Sequence, residues 1–199
     1  MKLALLSDIH ANIQALDACL AHARAHGAAR FALLGDLGGY GADPVAVLDR
    51  VVALVADGAL VIKGNHDELA VSPPRQAITV GDSTAAWTHA QLSPLHLEFL
   101  DALPMVAQDE TVLLVHASVD SPELWHYVYD QRAAGLSLAA ASKFPEVVRY
   151  EYQSVCPRMS GDQRVGQANR LSRAMQFSMD LTSLVAGCAG QLHAVYAGA

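Results

Sequence analysis

Three short apolar runs, each halted by small residues and then by side chains bearing oxygen or nitrogen donors, constrain this chain more than anything else in it. Residues 2–6 lead into Ser7-Asp8-Ile9-His10, residues 31–34 into Gly35-Asp36, and residues 59–62 into Lys63-Gly64-Asn65-His66-Asp67. Their length and aliphatic content are those of buried strands. Between the first two runs, Asn12 is placed to cap a helix carrying Ile13, Leu16, Leu20 and Ala23 at helical spacing, running to about His26 and stopped by Gly27. Between the second and third, Asp43 and Pro44 are placed to cap and begin a helix with Val45, Leu48, Val51 and Leu54, ended by Asp57-Gly58. Such alternation predicts an α/β fold with parallel strands, and in open sheets of that kind ligands gather beyond the carboxyl ends of the strands. The polar residues fall there.

The totals agree with one folded domain. At 199 residues, with 52% hydrophobic and 17% charged residues, the chain has enough apolar material for one proper core. A net charge of −7 argues against general affinity for nucleic acid or an anionic membrane. Cys19, Cys156 and Cys188 have no zinc spacing and do not pair off, so reduced thiols in a cytoplasmic protein are expected. The opening MKLALLSD is cut by Asp8 and His10 too early for a signal peptide, and no run approaches the roughly 20 apolar residues of a membrane span.

Further along, residues 72–81 read as loop, with Pro73-Pro74 blocking helix. Ser83 is placed to cap a helix containing Trp87, Ala90 and Leu92, and Ser93-Pro94 to start another with Leu97, Phe99, Leu100 and Leu103, ended near Pro104. Residues 111–115, TVLLV, form a strand that stops at His116; Trp125-His126-Tyr127 reads as a packed turn and residues 131–141 as an alanine-rich helix. Residues 149–152 have strand character, but 157–176 show no period, and 181–189 is a candidate last strand before Gly190-Gln191-Leu192-His193. The expected division is a core at 1–142 and a divergent or poorly ordered segment at 143–199.

Asp8 with His10, Asp36, Asn65 with His66, and His116 therefore each follow a strand-like run. With the four strands side by side, these six side chains would converge on one edge of a sheet. Carboxylate, imidazole and amide oxygen donors without thiolate suit a divalent ion such as Mn²⁺, Fe²⁺ or Zn²⁺ and argue against a structural zinc cage. Singly, an Asp-x-His is mostly chance, a Gly-Asp is usually a turn, and a histidine after a strand is usually a hydrogen-bonded edge residue. Their joint occurrence in order is what chance accounts for poorly.

At this point the chain resembles the calcineurin-like metallophosphoesterases. Asp8-Ile9-His10, Gly35-Asp36, Gly64-Asn65-His66-Asp67 and His116 match four elements of that family's signature, and GDLGGYGADP at residues 35–44 is similar to the GD-x-x-GYG-x-x-P form of its small bacterial members. The resemblance implies a β-sandwich flanked by helices in α-β-β-α layers, with the second sheet incomplete here. It also implies two divalent cations, Mn²⁺ foremost among Mn, Fe, Zn, Ni and Co. One would take Asp8, His10 and Asp36, and the other Asp36, Asn65 and His116, while His66 would face the substrate as the catalytic residue. The implied reaction is hydrolysis of a small phosphomonoester or phosphodiester, with water activated between two cations sharing Asp36.

The chain also departs from the pattern. Where the family's protein Ser/Thr phosphatases place Asp-Arg-Gly after Gly-Asp, this chain reads Leu37-Gly38-Gly39-Tyr40, which disfavours a phosphoprotein phosphatase. The closing Gly-His-x-His is replaced by Gly190-Gln191-Leu192-His193, leaving His193 as a further candidate ligand to the first cation. A catalytically impaired, phosphoesterase-like binding or scaffold protein is the alternative that this loss raises. A Rossmann-type nucleotide binder fits badly, because the first strand leads into Ser7-Asp8-Ile9-His10 rather than a glycine-rich phosphate loop.

Overall fold

A computed structural model describes residues 2–109, 112–144, 149–151 and 195–197, and the chain divides into two compact units. The first comprises residues 1–104 and 181–199, the second residues 105–180.

In the first unit the expected alternation is present: β1 (Lys2–Leu6), α1 (Ile13–Ala25), β2 (Ala28–Leu33), α2 (Pro44–Ala56) and β3 (Leu60–Val61). Strands β1 and β2 pair in parallel, as do β2 and β3. The sheet order is β3-β2-β1-β7, where β7 (Val195–Ala197) adds an antiparallel edge to β1. α3 (Asn65–Val71), α4 (Val80–Gln91) and α5 (Pro94–Asp101) complete the unit. Its core is aliphatic: Leu6, Ile9 and Leu33 from the sheet and its edge pack with Leu16 and Leu20 of α1 and Leu48 and Val51 of α2.

Sequence chemistry explains the helix ends, with three corrections. Asn12 caps α1 by accepting from the Ala15 N–H at 2.9 Å, and Ser93 caps α5 by accepting from the His96 N–H at 3.2 Å. Asp43 occupies the N-cap of α2, but its side chain makes no capping bond; Pro44 at the first helical position sets the start instead. Thr79, not Ser83, caps α4, because its hydroxyl accepts from the Asp82 N–H while the Asp82 carboxylate accepts from the Thr79 N–H, a reciprocal box that Ser83 has no partner to form. The third correction is the start of α4, since Val80 and Gly81, read as the end of a loop, already belong to the helix; Asn65, His66 and Asp67, given no element from sequence, form the first turn of α3. Replacing Asn12 by alanine is expected to destabilise the protein by about 1 kcal/mol, read as a lowered midpoint with unchanged slope in urea.

The second unit holds β4 (Val106–Asp109), β5 (Val112–Val115), a short 3₁₀ turn at Pro122–Leu124, α6 (Gln131–Ala141) and β6 (Arg149–Glu151). β5 pairs antiparallel with β4 and parallel with β6. The sequence had placed the strand before His116 beside the first three; it lies in a separate sheet, because β4, a short strand with little apolar signal, takes its edge. Leu113, Val115, Val119 and Ala141 form this unit's core. Together the described residues make a mixed α/β protein with six α-helices and two small sheets. The candidate strand at 181–189 lies outside the described residues, as does most of the segment from 143 onward. Among the described residues, no helix is long and apolar enough to cross a membrane.

Candidate metal centre

The loops leaving β1 and β2 run alongside each other and are stitched by their backbones. The N–H groups of Asp8, His10 and Ala11 donate to the carbonyls of Gly35, Asp36 and Leu37 at 3.3, 2.8 and 2.8 Å, and the Asp43 N–H returns to the Ala11 carbonyl at 2.9 Å. This lattice forces an unusual backbone. Asp8, His10, Ala11, Asp36 and Tyr40 all sit in the left-handed region, at φ 52°, 47°, 52°, 54° and 56°. Non-glycine residues there are strained by about 1–3 kcal/mol each, and they persist only where the surroundings over-determine them.

Glycines let the strands come close enough to do so. A methyl group on Gly35, at φ 90°, would stand 2.4 Å from the Gly64 nitrogen, and one on Gly64 would stand 2.2 Å from both the nitrogen and Oδ1 of Asp36. The Gly-Asp after β2 and the Gly-Asn-His-Asp after β3 are thus back to back, and neither glycine tolerates a side chain.

The strain aims three side chains at one point. One ligand atom each from Asp8, His10 and Asp36 lies within 4.8 Å of the others, with His10 Nε2 at 3.5 Å from Asp8 Oδ1 and 3.7 Å from Asp36 Oδ2. His10 Nδ1 is 3.0 Å from the Gly38 carbonyl. A carbonyl only accepts, so Nδ1 carries a proton, and Nε2 is the ring atom that faces the two carboxylates. The Asp36 and His10 side chains are only 5% and 10% exposed and that of Asp8 29%, and two carboxylates with an imidazole are a donor set that fits a divalent metal. Burial by itself works against charge on His10, but Asp8, Asp36 and the Gly38 carbonyl together outweigh it, and the His10 pKa is raised above its ordinary value.

Each member is held from behind. Ser7 Oγ donates to Asp8 Oδ2 at 3.0 Å. Asp36 Oδ1 accepts from the His66 N–H at 2.9 Å, so the first turn of α3 fixes the carboxylate whose other oxygen faces His10. Asn65 and His66 stand in that same turn. The His66 ring is buried, 5.0 Å from His10 at 89° between planes, and Tyr40 lies against both. Burial, with the nearby Asp36 charge, raises the Tyr40 pKa, so this phenol keeps its proton.

The first unit therefore brings Asp8, His10 and Asp36 together with the turn that carries Asn65 and His66. His116 belongs to the second unit, buried just past β5, with Trp125 edge-on to its ring at 5.8 Å. His193 lies outside the described residues. Sequence reasoning placed Asp67 in the third motif but gave it no role. Fully buried, it accepts from the Leu37 and Gly38 N–H groups at 2.8 and 3.2 Å through Oδ1 and from the Gly64 N–H at 2.9 Å through Oδ2. Its place at the third position of a helix opened by glycine is the signal that could have found it. Tyr40 and the Gly38 carbonyl were missed for another reason: nothing in their local sequence says that the loop folds back over His10.

Comparison with known proteins identifies the family. The pattern of the calcineurin-like phosphoesterase superfamily domain matches residues 1–149. An uncharacterized protein of Methanocaldococcus jannaschii is 33% identical over 134 residues, covering 64% of this chain and 54% of that protein. A metallophosphoesterase from Sphaerobacter thermophilus, known from a crystal structure, superposes with a TM-score of 0.63 at 31% identity over 76% of this chain and 59% of that one. A hypothetical protein from Pyrococcus horikoshii OT3 shares the fold, with a TM-score of 0.64 at 20% identity over 77% of this chain and 69% of that one. The chain spans little more than half the length of the first two of these relatives. With Asp8, His10, Asp36 and the Gly64–Asp67 turn all inside the matched stretch, the chain belongs to the calcineurin-like phosphoesterase superfamily.

Proposed function

We propose that this chain is a metal-dependent phosphoesterase that hydrolyses a phosphomonoester or phosphodiester of a small molecule. The observation that carries the reading is the convergence of Asp8, His10 and Asp36 on one point, with a proton held on His10 Nδ1 by the Gly38 carbonyl. In this reading Asp8, His10 and Asp36 would hold one divalent cation, and Asp36 would share a second with Asn65; Mn²⁺ suits these donors, as do Fe, Zn, Ni and Co. Cations so bound supply a nucleophile from water at neutral pH and offset the charge of the phosphoryl oxygens.

The chain's own residues do the rest. Asp36, anchored by the His66 N–H, keeps its other oxygen directed at His10, and the strained backbone of Asp8 and His10 holds the donors in place before anything binds. His66, rotated edge-on to His10, faces the substrate and, when protonated, gives a proton to the leaving oxygen or stabilises the charge that develops there. His193 is a candidate for a further ligand to the first cation. A small phosphoester substrate, no nucleic-acid or membrane partner and a cytoplasmic setting complete the proposal, in line with the net charge of −7.

A second reading, a phosphoesterase-like binding or scaffold protein with an impaired centre, is favoured by Gln191 standing where the family's closing motif has its first histidine. Two measurements separate the two. With added Mn²⁺, the wild-type chain is expected to turn over p-nitrophenyl phosphate or its bis-ester, to lose that activity on chelation, and to bind two Mn²⁺ per chain by calorimetry. Absence of both turnover and Mn²⁺ heat would overturn the phosphoesterase proposal in favour of the scaffold.

A further inference from the structure

Tyr40 is a strained choice for the place it occupies. Its φ of 56° lies in a region that glycine and asparagine enter more easily. The loop holds it there, with the Gly41 N–H directed to the Gly39 and His10 carbonyls at 2.7 and 3.1 Å. Gly41 permits that closeness, since a methyl group on it would stand 2.1 Å from the His10 oxygen. The ring so presented is edge-on to His10, with centroids 4.9 Å apart at 79°, and tilted against His66 at 4.6 Å and 51°. Even so, Tyr40 remains 46% exposed.

The ring is bordered by open space. A methyl group on Gly81 would stand 3.3 Å from His66 Cε1 and 3.5 Å from the Tyr40 hydroxyl, so the bare glycine leaves the space beside both rings clear. On the chain leading into Gly81, Ile78 and Val80 are 87% and 71% exposed. Besides His10, the His66 ring thus has an aromatic ring and a bare glycine next to it, and the chain leading into that glycine carries two uncovered aliphatic side chains. A tyrosine needed only for packing would be enclosed, and a loop needing only the backbone angle would use glycine.

We infer that Tyr40 is a substrate-contacting, specificity-determining residue: its exposed ring, laid against His66 and bordered by Gly81, receives the organic group of the phosphoester and favours apolar, above all aromatic, leaving groups over small polar ones. This rests on the proposed phosphoesterase reading and names the substrate class of that same site. Ring–ring contact in offset or edge-on geometry supplies the preference.

The test uses the full chain loaded with Mn²⁺ and the variant Tyr40→Asn, because asparagine accepts the backbone angle, with Tyr40→Gly in reserve should that variant fail to fold and Tyr40→Phe as the conservative control. Steady-state rates are compared for p-nitrophenyl phosphate and glycerol phosphate, and calorimetric binding for the unreactive phenylphosphonate and methylphosphonate. Tyr40→Asn is expected to raise KM for the aryl ester and weaken phenylphosphonate by about five- to tenfold, with kcat and both small ligands within about twofold. Tyr40→Phe is expected to keep the wild-type preference. Equal effects on aryl and small ligands, no effect on either, or no binding of either phosphonate would overturn the inference. Should the wild type hydrolyse neither ester while phenylphosphonate binding still depends on Tyr40, the phosphoesterase reading falls and the ring contact stands. Hydrolysis of both esters without any Tyr40-dependent preference means the reverse.

Discussion

Asp36→Ala is expected to bring turnover of p-nitrophenyl phosphate down to the buffer background and to remove the calorimetric heat of Mn²⁺ binding. The carboxylate does two things at once. Oδ2 faces His10 Nε2 at 3.7 Å, while Oδ1 receives the His66 N–H at 2.9 Å. Truncation therefore deletes a donor from the converging set and leaves the first turn of α3 without its acceptor, a loss of about 1–3 kcal/mol for a buried N–H. His66→Asn serves as the contrast. It should lower turnover by about 10²–10⁴-fold, the range for a general acid, while Mn²⁺ binding survives. Wild-type turnover in Asp36→Ala would contradict the proposed centre, and loss of Mn²⁺ binding in His66→Asn would move that histidine from a catalytic role to a ligand.

Asp67→Asn is expected to destabilise the protein by about 2–4 kcal/mol although it changes one atom. Oδ1 serves the Leu37 and Gly38 N–H groups and Oδ2 serves the Gly64 N–H, and the side chain is fully buried. An amide has a single acceptor oxygen. Whichever way it turns, its NH₂ faces a backbone donor, and at least one N–H is left unmet in the interior. The measurement is a urea midpoint, with the slope unchanged. A second consequence follows through Gly38, whose carbonyl orients His10. Loosening that loop should weaken Mn²⁺ binding by about 10–100-fold, the usual scale for a group that supports a ligand. A stability change below about 0.5 kcal/mol would show that Asp67 is not the tie between the two loops.

Much of the frame could be read from residue order, for reasons that differ by element. β1 and α6 appear at the residues expected, because an apolar run cut by Ser7-Asp8 and an alanine-rich helix opened by Asp130 leave few alternatives. β2 begins at Ala28 rather than Phe31 because Lys2 and Leu3 of β1 pair with Ala28 and Arg30, and a ladder partner outweighs the weak strand preference of alanine. α3 was hidden because Asn, His and Asp are poor helix formers; Asp67 satisfies its first turn through a local bond to the Gly64 N–H, and Asp36 does so from 30 residues away, a bond with no local pattern. The identities of Asp8, His10, Asp36, Asn65 and His66 were legible as donors at strand ends. The left-handed backbone that aims Asp8, His10 and Asp36, and the Gly38 carbonyl that holds a proton on His10 Nδ1, were not, since both arise from contacts across the sheet edge.

The abutting glycines at positions 35 and 64 carry a consequence for how such a scaffold can change over generations. Because the two loops share one van der Waals surface, with a methyl on either colliding with backbone of the other, neither motif can drift on its own, and a viable sequence must inherit both together. Variation in what the protein acts upon is thereby steered away from the strand ends and toward the stretch around Tyr40 and the turn before Gly81, where exposed side chains can be exchanged without disturbing the grip beneath them.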